Sequence, residues 1–407
     1  MKALPKSSPH YHLSLQIHLP PLAAKTIAFL IIILGMAMVA MWIVDTVTML
    51  EQEVDYTKKE NTKLAVVMET VVAELAAMKN EDQYLRNNKL EADIKQIETT
   101  YKDTVEAYEE LLKLKELAKD TKKFDDAFAK ILTALSKRNY DEAAKNLTAL
   151  RKEIQTERDK IAASFVIPLN VAESNAPPGN GYSRQKVSAS IGNYLVDIIS
   201  GNLSSTRVIV DTASASECKN DCPVLSLGEY VARNGAYAGI NGSYFCPASY
   251  PSCADKKNSF DTLLMNKNKV YFNSDNNVYS TVPAAIFMSG SIRWVGRSLE
   301  WGRDTSPDSM IANQPMLLSG GNVVFGGDGD PKKGSKGPRS FVANRGNIVY
   351  IGVVHNATVA EVAHVLKALG MEYAINLDSG GSTALWYSGY KVGPGRNIPN
   401  AILFIRK

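Results

Sequence analysis

Hydrophobic residues follow three different rhythms along this chain. From Thr26 to Val44, TIAFLIIILGMAMVAMWIV, nineteen residues pass without a charge. A helix apolar on every face predicts burial in lipid rather than an amphipathic surface position. At 1.5 Å of rise per residue it spans roughly 28 Å, close to a hydrocarbon core of about 30 Å. A cleaved signal peptide carries a shorter apolar region, about 7–15 residues, followed by a small-x-small site. The sequence after Val44, DTVTMLEQ, has no such site, so an uncleaved anchor over 26–44 is expected behind a tail over 1–25.

The second rhythm is helical. Residues 51–123 contain no Gly and no Pro, and apolar positions recur at Leu64, Val67, Val71, Leu75 and Met78, then at Leu90, Ile94, Ile97, Tyr101, Val105, Tyr108 and Leu112. Steps of three and four with charges between them predict an amphipathic, coiled-coil stalk over 45–123. A polar break around Asn80–Asn88 predicts a stutter or a turn. Phe124, Phe128, Ile131, Leu132 and Leu135, then Ala143, Ala144, Leu147, Leu150 and Ile154, predict a helical hairpin over 124–165. Asn139 with Glu142 fits the start of its second helix. A linker with Pro168, Pro177, Pro178, Gly179 and Gly181 covers 166–185.

The third rhythm has a period of two. Tyr194–Ile199, Arg207–Asp211, Ala236–Ile240 and Val270–Asn273 read as strands, and residues 186–407 suffice for one α+β domain with a mixed sheet. Arg339–Asn344 and Ile348–Val354 predict a hairpin across Arg345-Gly346-Asn347. Thr358 and Glu361 predict a capping box for a helix that ends at Gly370. The strand Tyr373–Asp378 follows. Strand, helix, strand implies a parallel pair in one sheet, with ligands expected beyond the carboxyl ends. Arg339, His355 and Asp378 are thus expected at one rim.

Charge adds orientation. Lys2, Lys6 and Lys25 precede the apolar run, whereas Asp45, Glu51, Glu53 and Asp55 follow it. Positive charge stays inside, so the N-terminus is expected in the cytoplasm and the bulk of the chain outside the plasma membrane. A net charge of +4 without a basic cluster argues against nucleic acid as partner. All four cysteines lie between Cys218 and Cys253. In an oxidising compartment two disulfides are expected, with Cys218–Cys222 and Cys246–Cys253 preferred over the other pairings. A four-cysteine zinc site is the rival, but neither pair has C-x-x-C spacing. No metal or cofactor is expected.

Candidate chemistry collects at Asp378-Ser379-Gly380-Gly381-Ser382-Thr383. Successive small residues leave backbone N–H groups able to cradle an anion, and the glycines allow close approach. An ordinary Gly-rich turn before the strand Ala384–Tyr387 is the plainer alternative. Arg339, expected at the same edge, favours a site.

Four motifs stand in a telling order: Asn241-Gly242-Ser243-Tyr244-Phe245, Pro338-Arg339-Ser340, Asn376 to Thr383, and Arg396 through Asn400-Ala401. Together they resemble the phosphodiester glycosidase family over about residues 185–407. The resemblance implies a glycosidase that cleaves sugar-phosphodiester linkages, in bacteria those of envelope or exopolysaccharide glycans. Ser379 and His355 depart from the pattern, where the family often has Gly and Asp. The residues suit this chemistry. A phosphate monoester is a good leaving group, so the usual pair of carboxylates is not required. Asp378 is the expected nucleophile or base, and Arg339 offers a bidentate fork to phosphate. The N–H groups of Ser379, Gly380, Gly381 and Ser382 offer a cradle, with Thr383 beside them. Arg396 either adds a second positive contact or ties down a loop. Asn241 either binds sugar hydroxyls or holds its loop. His355 is a possible proton shuttle, although a lone His is more often structural. His364 reads as solvated, and the Gly-Gly-Asp-Gly-Asp run at 326–330 as a surface turn rather than a Ca²⁺ loop. His10, His12 and His18 fall in the tail. Two further readings stay open. One is a non-catalytic binding module for envelope glycans or phosphodiesters on the same scaffold; the other is a structural brace. Lipid around 26–44 and self-association through the stalk are the other expected contacts.

A cysteine introduced near residue 300 is expected to react with a membrane-impermeant maleimide in intact cells. Protection of that residue until the cells are lysed would overturn both the anchor and the compartment.

Overall fold

The computed structural model describes residues 21–79, 82–274 and 280–407. The tail up to residue 20, with His10, His12 and His18, lies outside them. Helix α1 (Pro21–Lys79) carries the apolar run and is long and apolar enough to cross a membrane. The polar break at 80–88 falls where α1 ends and α2 (Asp82–Lys115) begins. The chain divides into two units, 1–94 and 95–407.

Within the second unit, α3 (Lys122–Ser136) and α4 (Tyr140–Ala163) form the hairpin read from sequence. Asn139 caps α4 by accepting the Glu142 N–H at 3.3 Å. The end of α2 packs on the hairpin as a third helix. Leu111 and Leu114 share a core with Phe124, Ile131, Leu147, Leu150 and Ile154. This explains why the apolar spacing runs on unbroken past Tyr101: α2 must present a face to two partners.

The remaining chain forms three sheets. The largest combines β1 (Gly181–Ala189), β2 (Gly192–Asn202), β10 (Met316–Ser319), β11 (Asn322–Val323), β12 (Gly337–Arg345), β13 (Ile348–Ala357) and β14 (Tyr373–Asn376). Their order is β1-β2-β13-β12-β14-β10-β11. A second sheet orders β16 (Tyr390–Val392), β15 (Leu385–Tyr387), β4 (Ala238–Asn241), β17 (Asn400–Arg406) and β3 (Thr206–Thr212). A third orders β6 (Tyr271–Phe272), β5 (Leu264–Met265), β9 (Ser309–Ala312), β7 (Ala284–Met288) and β8 (Ser291–Val295).

The mixed sheet expected from sequence is instead antiparallel between every pair of neighbouring strands. β13 and β14 do run the same way, as the helical crossover requires. The hairpin returns β12 between them, however, so neither hydrogen-bonds the other. Arg339 pairs with Val354, at the rim where the pattern placed it.

Alternation divides β2 between two cores. Ile199 packs inward with Val342, Ile351, Ile240, Ile402 and Ile311, joining all three sheets. Ile198 packs outward with Val362 and Leu366 of α7 (Val359–Ala368), whose start carries the expected Thr358–Glu361 capping box. Helix α5 (Leu227–Asn234) covers the far side of the second sheet through Tyr230 and Val231. A short α6 (Pro331–Gly334) precedes β12. Both expected disulfides, Cys218–Cys222 and Cys246–Cys253, are formed.

Gly352 sits where β13 passes under Phe341. A Cβ there would lie 2.5 Å from the Asp197 carbonyl and 2.7 Å from the Phe341 ring. Gly352→Ala is expected to destabilise the domain by about 1–3 kcal/mol, as overpacking does. The check is the urea midpoint followed by near-ultraviolet circular dichroism; an unchanged midpoint would contradict the packing.

Candidate active site

The site is built on backbone held by buried amides. Asn241 ends β4 with its side chain fully buried. Its Nδ2 donates to the Asp378 carbonyl at 2.6 Å, and its Oδ1 accepts from Ser340 Oγ at 2.8 Å and Ala384 N at 3.1 Å. One side chain thus ties β4, β12 and both ends of the 378–383 loop. Of the two roles expected for Asn241, its geometry is that of holding the loop. The backbone repeats the arrangement. Asp378 N donates to Gly242 O and Leu377 N to Ser340 O, at 3.0 and 2.9 Å. Gly242 has no room for a side chain, since a Cβ would lie 2.7 Å from Asn400 Cγ.

Asp378 emerges half-buried past the end of β14. Its Oδ1 accepts the Ser379 N–H at 2.9 Å. Burial raises its carboxyl to about 6, against the pull of the Ser382 hydroxyl, the Ser379 amide and the Arg396 charge. Tyr244 lies beside it. Its OH accepts from Asn376 Nδ2 at 2.7 Å, and burial followed by the Asp378 charge pushes the phenol up.

Gly380–Ser382 form one 3₁₀ turn, with Gly380 at φ 65°. Gly380 and Gly381, at its start, keep their N–H groups outside the turn's own bonds. Ser379 N serves Asp378 and Ser382 N lies within the turn, so the cradle is narrower than the expected Ser379–Ser382 run. Ser379 Oγ donates to Leu377 O at 3.2 Å and receives Ser340 N–H at 3.3 Å. Thr383 is buried, with no partner for its hydroxyl among the described residues.

Arg339 and Arg396 reach this centre differently. Arg339 is buried, and its N–H groups must find acceptors. Nε donates to Ala357 O at 3.1 Å, while Nη2 donates to Lys332 O at 2.8 Å and to the Ser335 carbonyl. Among the described residues Nη1 alone has no acceptor, so the guanidinium offers a ligand less than the fork expected. Arg396 N donates to Gly381 O at 2.7 Å, which fixes its loop against the turn. Its guanidinium lies 5.5 Å from the centroid of the Tyr250 ring and pairs with the Glu116 carboxylate.

His355 has partners on other elements. Its Nε2 bonds the buried Asp197 at 2.6 Å, Tyr182 OH donates to the same carboxylate at 2.5 Å, and the ring stacks on Phe165. In the 326–330 turn, Asp328 and Asp330 pair with Lys333. No group of side chains suited to a metal occurs among the described residues. Tyr244 was visible within a motif and could have been singled out. Glu116 and Tyr250 carry no signal in sequence, because nothing local connects a helical turn or a disulfide loop to Arg396.

Removing the Arg396 charge is expected to raise the Asp378 carboxyl further. In Arg396→Gln its carbon-13 titration, midpoint about 6 in the parent, moves to higher pH. A midpoint that stays put or falls would place Arg396 outside its electrostatic reach.

The profile described as phosphodiester glycosidase matches residues 234–405, which include Asn241, Arg339, Asp378 and Arg396. No curated protein matches the sequence significantly. Among solved structures, a hypothetical protein from Synechocystis is similar at 13% identity and TM-score 0.39, over 56% of this chain and 62% of that one. The match therefore takes in less than two thirds of that protein's length. The zebrafish N-acetylglucosamine-1-phosphodiester alpha-N-acetylglucosaminidase catalytic domain, auto-inhibited by pro-peptide, is similar at 15% identity and TM-score 0.45, over 58% of this chain and 87% of its own. Residues 234–405 thus match the phosphodiester glycosidase family.

Proposed function

We propose that residues 186–407 hydrolyse sugar-phosphodiester linkages in envelope or exopolysaccharide glycans. The domain would be held outside the cytoplasm by the 26–44 anchor and a coiled-coil, self-associating stalk over 45–123, with the 124–165 hairpin and the 166–185 linker between. The observation that carries the reading is a carboxyl raised by burial beside a glycine turn, in a region that matches this family. Asp378, ionised above pH of about 6, attacks or activates water at the anomeric carbon. The carbon–oxygen bond breaks with its electron pair passing to the phosphate oxygen. The departing monoester has a second pKa of about 6 and needs little protonation. Arg339 Nη1, Arg396 and the N–H groups of Gly380 and Gly381 would stabilise its charge where it develops. Asn241, Ser379, Ser382 and Thr383 hold the loop, while Tyr244 walls the carboxylate.

A phosphodiester does not titrate near neutrality, so an acidic limb near pH 6 in kcat/KM would belong to the enzyme. Turnover should rise with pH through that limb, because Asp378 acts ionised.

Asp378→Asn separates enzyme from binding module. It is expected to abolish hydrolysis of a phosphodiester-linked sugar, a loss of several powers of ten, while ligand affinity survives in the nearly isosteric variant. Arg339→Ala should lower affinity and rate together, and Lys should recover only part of the loss. If the parent binds the sugar phosphodiester without turnover and Asp378→Asn changes nothing, the domain is a receptor on a glycosidase scaffold.

A further inference from the structure

The end of α2 lies against the segments around Tyr250 and the 380–382 turn. Lys113 Nζ lies 5.6 Å from the centroid of the Tyr250 ring, the ring that Arg396 also faces. Glu109 accepts the Ser252 N–H at 3.1 Å. Glu116 stands one residue beyond α2, in the turn that ends it. Its carboxylate pairs with Arg396 Nη2 and lies directly over the glycine turn. A Cβ on Gly381 would collide with it, and one on Gly380 would come within 3.8 Å.

Arg396 and the amides of Gly380 and Gly381, which stand outside the turn's own bonds, together suit an anion. A carboxylate already stands there, and it belongs to the helical bundle. Two planar oxygens with a delocalised negative charge satisfy a guanidinium much as two phosphate oxygens do. The pair is not sealed: the Arg396 and Glu116 side chains keep 21% and 30% of their exposure. Exchanging one anion for another would therefore strand neither charge in an apolar interior. Glu116 also sits in a turn, where Leu117 N and Ala118 N both fold back on Leu114 O. It can withdraw without unwinding the packed part of α2.

We propose that Glu116 is an internal anion occupying the place of the substrate's phosphate on Arg396, so that the substrate must displace it to bind. The proposal rests on the phosphodiester reading of the site, and its consequence is quantitative. A tethered competitor weakens every anion at the site by the same factor and leaves the bond-breaking step alone. The helical bundle thereby sets the affinity of the domain it precedes.

The test is binding of inorganic phosphate to the full chain in detergent, by calorimetry, alongside turnover of a phosphodiester-linked sugar. Glu116→Gln removes the negative charge and keeps the size, and should tighten the phosphate Kd at least tenfold. KM should fall by a similar factor with kcat unchanged. Glu116→Asp keeps the charge on a shorter arm and should fall between the two, which also serves if the Gln variant is unstable. In the double variant with Arg396→Gln the gain should vanish, as a shared partner requires. Unchanged or weaker phosphate binding in both folded Glu116 variants would overturn the proposal. Tighter phosphate binding without turnover in any form would leave Glu116 as an internal anion and remove the glycosidase reading instead.

Discussion

The site depends on one buried side-chain amide. Asn241 bonds the Asp378 carbonyl, the Ser340 hydroxyl and the Ala384 N–H at once, and these lie 137, 99 and 143 residues from it in sequence. The bonds to Ser340 and Ala384 are fully buried, where an unmet hydrogen bond costs about 1–3 kcal/mol. The loop carrying Asp378 therefore has no cheap alternative position. A carboxyl that must act on a bound atom needs such rigidity behind it, because small misplacements cost large factors in rate.

With the backbone held, electrostatics decide what the site does. Asp378 is raised by burial and restrained by Arg396, the Ser382 hydroxyl and its own neighbouring amide. It stands close to the point where a carboxyl can change charge near neutral pH. Arg339 turns most of its donors to carbonyls of the segment before β12 and the end of β13. That arrangement makes it as much a brace for the rim as a ligand. Arg396 is the more available cation, and its present partner comes from the helical bundle.

Much of this arrangement was legible in the chain. The hairpin of β12 and β13, the capping box of α7 and the strand leading to Asp378 follow from period-two alternation, a Gly-containing turn and a Thr–Glu spacing. These signals are local, and the backbone answers them locally. The rim shared by Arg339 and Asp378 followed from topology alone. The sheet's antiparallel character did not, since no local signal states which strand slips between two others. His355 was drawn to the rim by the same topology, but its ring turns to Asp197 on β2. Strand ends can be placed from pattern; side-chain partners across strands cannot.

The sequence by itself determined the elements, the apolar helix near the start, the local disulfides and the four motifs that carry the family resemblance. Each depends on the spacing of residues near one another, which backbone geometry converts directly into structure. Only the tertiary structure decided that Asn241 holds its loop and that the Arg339 fork faces carbonyls. It alone brought Glu116 of the helical bundle onto Arg396, 280 residues away. Hydrogen bonds and ion pairs of that reach form after the core has closed, between groups whose positions no local rule relates.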